Sequence, residues 1–125
     1  MFDMKKIRKV ALIGATTNKS KYGYKILKDL ISKGYEVLPV TPNYEQIEGI
    51  KTYKSVKDLP NVDILNFVVP PKIGLEITKE AYKHGFKKFW YQPGAESEEI
   101  KKYLESLNDS EVEYLFYKCI MVETI

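Results

Sequence analysis

The chain has 125 residues, 44% of them hydrophobic and 30% charged, a globular composition large enough for one core without disulfides or metals. Its 20 Lys and Arg against 17 Asp and Glu leave a formal net charge of +3, too small an excess to argue for nucleic acid. The one cysteine, Cys119, excludes an internal disulfide, and no apolar run approaches the roughly 20 residues that span a bilayer. The opening, Met1-Phe2-Asp3-Met4-Lys5-Lys6, lacks the apolar stretch of a secretory signal. One cytoplasmic domain over residues 1–125 is the expectation, with neither nucleic acid nor membrane as a partner.

Val10-Ala11-Leu12-Ile13 is a continuous apolar run, the pattern of a strand covered on both faces of a parallel sheet. It runs out into Gly14-Ala15-Thr16-Thr17-Asn18, where small side chains let a ligand approach the backbone. A helix over Tyr22 to Lys33 follows, with Ile26, Leu27, Leu30 and Ile31 on one face and Gly34 as its stop. Gly23 lies one turn before Leu27, where a missing side chain lets the helix sit close to the sheet. Tyr35 to Val40 is the second strand, ended by Thr41-Pro42-Asn43. Residues 44–60 are the least regular stretch, with a short edge strand over Ile50 to Tyr53 and a single helical turn over Ser55 to Leu59.

Asp63 to Val69 reads as the next strand, closed by Pro70-Pro71, which cannot continue a ladder. Ile73, Ile77 and Ala81 are spaced by four and mark a helix ending at Gly85. Lys88 to Tyr91 is a strand running into Gln92-Pro93-Gly94. Ser97 caps a third helix with Ile100, Tyr103, Leu104 and Leu107 as its buried face. Glu113 to Tyr117 closes the series, with Cys119-Ile120-Met121 beyond it. Strands alternating with helices predict an α/β three-layer sandwich, Rossmann-like, around a mostly parallel sheet of five to six strands.

Ligands of doubly wound sheets sit beyond the carboxyl ends of the strands, where the strand order reverses. Four strand ends here are small, polar or proline-rich: Gly14 to Asn18, Thr41 to Asn43, Val69 to Pro71, and Gln92 to Gly94. A strand feeding a glycine loop and a helix start also presents free N–H groups and the helix dipole to an anion. Lys19 and Lys21 beside the loop add positive charge for phosphates. A dinucleotide fingerprint would need G-x-G-x-x-G and an acidic residue after the second strand. Thr16 stands where the second glycine would be, and Thr41-Pro42-Asn43 offers no carboxylate; both departures count against NAD.

Several segments in this order carry a family resemblance: Val10 to Thr16, Tyr35 to Pro42, Val62-Asp63-Ile64, Val69-Pro70-Pro71, Trp90 to Gly94 and Cys119-Ile120. They resemble the stand-alone CoA-binding domain proteins, which are similar to the N-terminal CoA-binding domain of the succinyl-CoA synthetase alpha subunit. The resemblance covers about residues 7 to 123. It implies a Rossmann-like fold that binds CoA or a related adenine nucleotide. By position, Gly14, Ala15, Thr16 and Thr17 would meet the phosphates, and Thr41 and Pro42 the adenosine. Val69, Pro70 and Ile73 would pack near adenine or pantetheine, with Gln92 at the reactive end. Asn18, Asn43, Pro93 and Gly94 belong to the same loops; Lys19 and Lys21 are phosphate candidates from charge alone.

The synthetases' phosphorylated histidine lies in a further domain, and the only histidine here, His84, sits at a helix end where a cation is favoured. Cys119 is the one candidate nucleophile, placed where a CoA thiol could reach it. The chemistry favours a non-catalytic binding or regulatory module, acting with a protein partner or as a homodimer. The alternative is an NAD(P)-binding or acyl-CoA-using enzyme. A branched side chain at Gly14 is expected to block the phosphates and leave the fold intact.

Overall fold

A computed structural model describes residues 2–125; Met1, the first residue of the expected domain, lies outside them. In chain order the strands are β1 (Lys9–Ile13), β2 (Glu36–Val40), β3 (Gln46–Ile47), β4 (Ile50–Lys51), β5 (Ile64–Phe67), β6 (Lys88–Tyr91) and β7 (Glu113–Leu115). The helices are α1 (Tyr22–Ser32), α2 (Pro71–Lys83), α3 (Glu98–Ser106) and α4 (Ile120–Glu123). Five strands form one sheet in the order β2-β1-β5-β6-β7, every pair parallel. The order reverses between β1 and β5, so the binding edge of this doubly wound sheet lies where those two strands end.

Each strand alternates its side chains between the two faces. Val10 and Leu12 join Ile26, Leu27 and Leu30 of α1 in one apolar layer, which also takes Ile120 of α4. Ala11 and Ile13 join Ala81 of α2 and Ile100 and Leu104 of α3 in the other. Trp90 and Tyr91 are both fully buried, one on each side. The expected α/β three-layer arrangement is present, with five strands in the parallel sheet. No helix among the described residues is long and apolar enough to cross a membrane.

Several elements differ from the sequence expectation, each for a local reason. Residues 46–51 form a separate antiparallel pair, β3 with β4, turned by Glu48 and Gly49 at φ 52° and 79°. Two positive φ values in a two-residue loop are the backbone of a tight hairpin. Tyr53 then bridges Val40 in parallel and covers the outer edge of β2. Ile31 is 39% exposed, so the buried face of α1 is Gly23, Ile26, Leu27 and Leu30. In α2, for which the sequence assigned no inward face, that face is Gly74, Thr78 and Ala81, with Ile73 turned out at 52% exposure. Thr78 fits there because its hydroxyl bonds the Gly74 carbonyl at 2.7 Å and the Tyr91 hydroxyl at 2.6 Å.

β7 stops at Leu115, and the tail folds back as α4, fastened to α1 by Lys33 Nζ donating to the Met121 carbonyl at 2.7 Å. Asp63 stands before β5 and not in it. Its Oδ2 accepts the N–H groups of both Arg8 and Lys9 at 2.8 Å, which fixes the entry of the central strand β1. Asp63→Ala therefore strands two backbone donors at a half-exposed site. A loss of about 1–2 kcal/mol in unfolding free energy is expected by chemical denaturation, with Asp63→Asn recovering part of it.

Candidate functional site

A cleft of about 1020 Å³ opens over the carboxyl ends of β2, β1 and β5. Its floor is the turn from β1 into α1. The Gly14 N–H donates to the Val40 carbonyl at 3.1 Å and the Val68 N–H to the Ile13 carbonyl at 2.9 Å, so three strand ends are tied edge to edge. Beyond Gly14 the accounting changes. Among the described residues no protein acceptor takes the N–H groups of Ala15 or Thr16. A turn with free amides on a concave wall attracts an anion.

Gly14 adopts φ +101°, and a Cβ there would stand 2.8 Å from Val69 Cγ1 and 2.9 Å from the Val68 carbonyl oxygen. A Cβ on Gly23 would fall onto the Gly14 carbonyl oxygen. The two glycines therefore serve a close backbone approach, in which the first turn of α1 rests on the loop. A branched residue at Gly14 disturbs the fold before it disturbs a ligand, contrary to the sequence expectation.

The helix starts at the cleft share a second property. Lys21 is the N-cap of α1 and Pro70 the N-cap of α2, and neither offers a side-chain cap; neither first turn carries an acidic residue. At α3, away from the cleft, Ser97 accepts the Ile100 N–H and Glu98 and Glu99 follow in the first turn. The positive ends of α1 and α2 are thus left open where the cleft lies. Lys21 and Lys54 add cationic side chains to the lining. Lys54 stands 3.7 Å from Glu45, whereas Lys21 makes no ion pair among the described residues.

Gly14, Ala15, Thr16, Lys21, Thr41, Pro42, Asn43, Val69, Pro70 and Ile73 are brought together around this cleft. Thr41 is buried, and its hydroxyl accepts the Asn43 N–H at 3.2 Å. Thr17, Asn18 and Lys19 are exposed on the loop but outside the cleft lining. Asn18 is occupied in folding the loop, its side chain accepting from Ser20 N–H and hydroxyl.

Gln92, Pro93, Gly94 and Cys119 lie away from the cleft. β6 is one strand further along the sheet, and the Gln92 side chain turns into the interior. Its Oε1 accepts the Ile120 N–H at 2.8 Å and the Asn66 amide at 3.3 Å, and its Nε2 reaches Cys119 Sγ at 3.3 Å. Cys119 itself precedes α4 as its N-cap. His84 is the exposed C-cap of α2. No group of three His, Cys, Asp or Glu side chains among the described residues is placed to hold a metal ion.

Among the lining residues that the sequence reading did not place at the site, two carry polar chemistry of note, Tyr44 and Glu80. Tyr44 leans over the glycine loop with its hydroxyl 3.3 Å from Thr16 Oγ1. Hydrogen bonding to Thr16, then Thr17, holds its phenol below the ordinary tyrosine range. Glu80 reaches the cleft from the third turn of α2. Ser55 donates to its Oε1 at 3.0 Å, and Lys57 Nζ stands 3.4 Å from Oε2. The signal for Glu80 was its spacing of seven from Ile73, the same face at helical period. Tyr44 had none, because a loop residue has no period.

Because the glycines serve the fold, Gly14→Ala and Gly23→Ala are each expected to cost about 1–3 kcal/mol through strain and overpacking. Thermal unfolding without ligand checks this. Gly94→Ala, whose Cβ meets nothing within 4 Å although φ is +96°, isolates the backbone part of that loss.

A family profile described as CoA binding domain matches residues 8–125. The ADP-forming acetate–CoA ligase of Methanocaldococcus jannaschii is 38% identical over 81 residues, 64% of this chain and 12% of that protein. The alpha subunit of the ADP-forming acetate–CoA ligase II of Pyrococcus furiosus is 39% identical over 82 residues, 64% of this chain and 18% of that protein. The chain thus spans less than a fifth of either relative. Among solved structures, a conserved hypothetical protein from Pyrococcus furiosus is 62% identical with a TM-score of 0.91, covering 94% of this chain and 100% of that one. The dinucleotide-forming acetyl-coenzyme A synthetase 1 of Ca. Korarchaeum cryptofilum, in complex with phosphate and ADP, is 28% identical with a TM-score of 0.71. It covers 86% of this chain and 25% of that one.

Proposed function

We propose a ligand from one premise: the chain belongs to the CoA-binding domain family. The cleft takes CoA or an acyl-CoA, with the cofactor's phosphates on the backbone N–H groups of the β1–α1 loop. One observation carries this reading. Unspent loop amides, two uncapped helix starts and the unpaired Lys21 all meet at one cleft whose other wall is apolar. Phosphates suit the first end, and a base or a pantetheine chain suits the second. Ala15, Thr16 and Lys21 would hold the phosphates; Pro42, Val69, Pro70 and Ile73 would flank the apolar part.

The module is read as one non-catalytic CoA-binding domain. Among the described residues Glu80 is the one carboxylate on the cleft lining, and it is held by Ser55 and Lys57; His84 is not on the lining. CoA itself supplies the thiol chemistry; the Ser55 hydroxyl on the lining is spent in holding Glu80, and among the described residues neither a histidine nor a cysteine lines the cleft. The NAD(P) alternative finds no support: β2 ends at Thr41-Pro42-Asn43, without a carboxylate for the ribose. Because one relative is an alpha subunit, a protein partner carrying the remaining machinery is part of the reading.

Calorimetric titration with CoA and dephospho-CoA tests it. CoA at a hundredfold excess over its Kd is expected to stabilise the fold by about 2.7 kcal/mol and raise Tm. Neither heat nor a melting shift at millimolar CoA would reject the reading. Lys21→Ala should weaken CoA about three- to tenfold, an effect that shrinks as salt rises. Lys19→Ala, outside the lining, should leave the affinity within experimental error. Equal losses from both lysines would show that general surface charge, not the cleft, attracts the cofactor.

A further inference from the structure

We infer that Glu80 is a specificity-determining residue that selects the base of the cofactor by accepting a hydrogen bond from an exocyclic amino group. The inference rests on the CoA reading above and adds an orientation and a selection rule to it. α2 carries two stripes. Gly74, Thr78 and Ala81 face the sheet, while Ile73, Ile77 and Glu80, at i, i+4 and i+7, line the cleft. The cleft stripe is therefore apolar for two turns and then ends in a carboxylate.

That carboxylate is held in place. Ser55 donates to Oε1 at 3.0 Å, Lys57 Nζ stands 3.4 Å from Oε2, and the Lys57 N–H in turn donates to Ser55 Oγ at 3.2 Å. A carboxylate accepts only, and two oxygens leave lone pairs beyond those two partners. Lys57 also balances its charge, so an anionic cofactor is not repelled from the cleft as a whole.

The polarity of the cleft sets the direction of the ligand. Phosphates are attracted to the β1–α1 loop and Lys21 and are disfavoured beside Glu80. From Pro71 to Glu80 the helix rises about 13 Å, which separates the two ends. A flat ring between apolar walls with an acceptor at its edge matches an aminopurine. Adenine offers its 6-amino group there. Hypoxanthine presents a 6-carbonyl oxygen, which would face the carboxylate lone pair to lone pair.

The test compares CoA with deaminated CoA, in which hypoxanthine replaces adenine, by calorimetry on the wild-type chain and on Glu80→Gln. The wild type should prefer CoA by about tenfold, the ratio that one hydrogen bond to a charged group supplies. In Glu80→Gln the ratio should fall toward one, because the amide can also donate to the carbonyl. Ser55→Ala, which frees Oε1, should give an intermediate ratio and serves if Glu80→Gln does not fold. A wild-type ratio near one, or a ratio unchanged in both variants, overturns the role of Glu80 while leaving CoA binding in place. Failure of both cofactors to bind the wild type overturns the CoA reading and this inference together.

Discussion

The architecture depends on one close contact: the backbone of the first turn of α1 rests on the carbonyl of Gly14. Only a glycine at 23 permits it, since a Cβ would occupy the position of that carbonyl oxygen. Only a glycine at 14 permits the matching approach of Val68 and Val69, just past the end of β5. Loop, helix start and neighbouring strand end are thereby compressed into one corner at the β1/β5 reversal of strand order. Dinucleotide-binding folds use a run of three glycines for this corner. Here two suffice, with Thr16 at the position between, its side chain turned to the Tyr44 hydroxyl at 3.3 Å while its backbone N–H has no protein acceptor among the described residues.

The second determinant is the division of labour on α2. A helix beside a sheet normally has one apolar stripe and a polar outer face. α2 puts small residues inward and its isoleucines sideways. Gly74 and Thr78 let the helix lie close over Phe67 and Tyr91, and this frees Ile73 and Ile77 to wall the cleft. The opposite wall comes from the segment between β2 and β5, which the β3–β4 hairpin and the Tyr53 bridge hold against β2. The glycine corner and the apolar wall are thus made by separate parts of the chain and meet only through the topology.

Legibility in the sequence followed the kind of constraint each element obeys. The parallel sheet was readable because buried strands are continuous apolar runs, and Val10 to Ile13 could hardly be anything else. The helix α2 was readable from Ile73, Ile77 and Ala81, but a spacing of four fits two adjacent stripes and does not say which one goes under. Ile73 and Ile77 are the greasier pair, yet Gly74 and Thr78 are the ones small enough to face the sheet. The hairpin was missed because Glu48-Gly49 is not the usual Asn-Gly pair, although Glu48 takes the same positive φ. Strand ends at one edge were foreseen as one group of four. Strand order separated the fourth, since β6 is a neighbour of β5 and not of β1. Which strands adjoin is set by long-range packing that no local pattern records.

The contrast between helix starts explains why this corner, and not another, is the site. A side-chain N-cap is worth about 1 kcal/mol, and the chain provides one at α3 through Ser97 and another at the short turn of Val56–Asp58 through Ser55. It provides none at α1 or α2. Capping those two starts would satisfy the same N–H groups that an anion needs, and an acidic residue in the first turn would cancel the field that draws it. Both helices therefore forgo local stability at the end that faces the cleft and recover it through burial further along: Ile26, Leu27 and Leu30 for α1, and Ala81 for α2. The open helix starts are stable because their other turns are anchored, and they face the ligand edge because a parallel sheet with crossover helices puts every helix start on the same side as the strand ends.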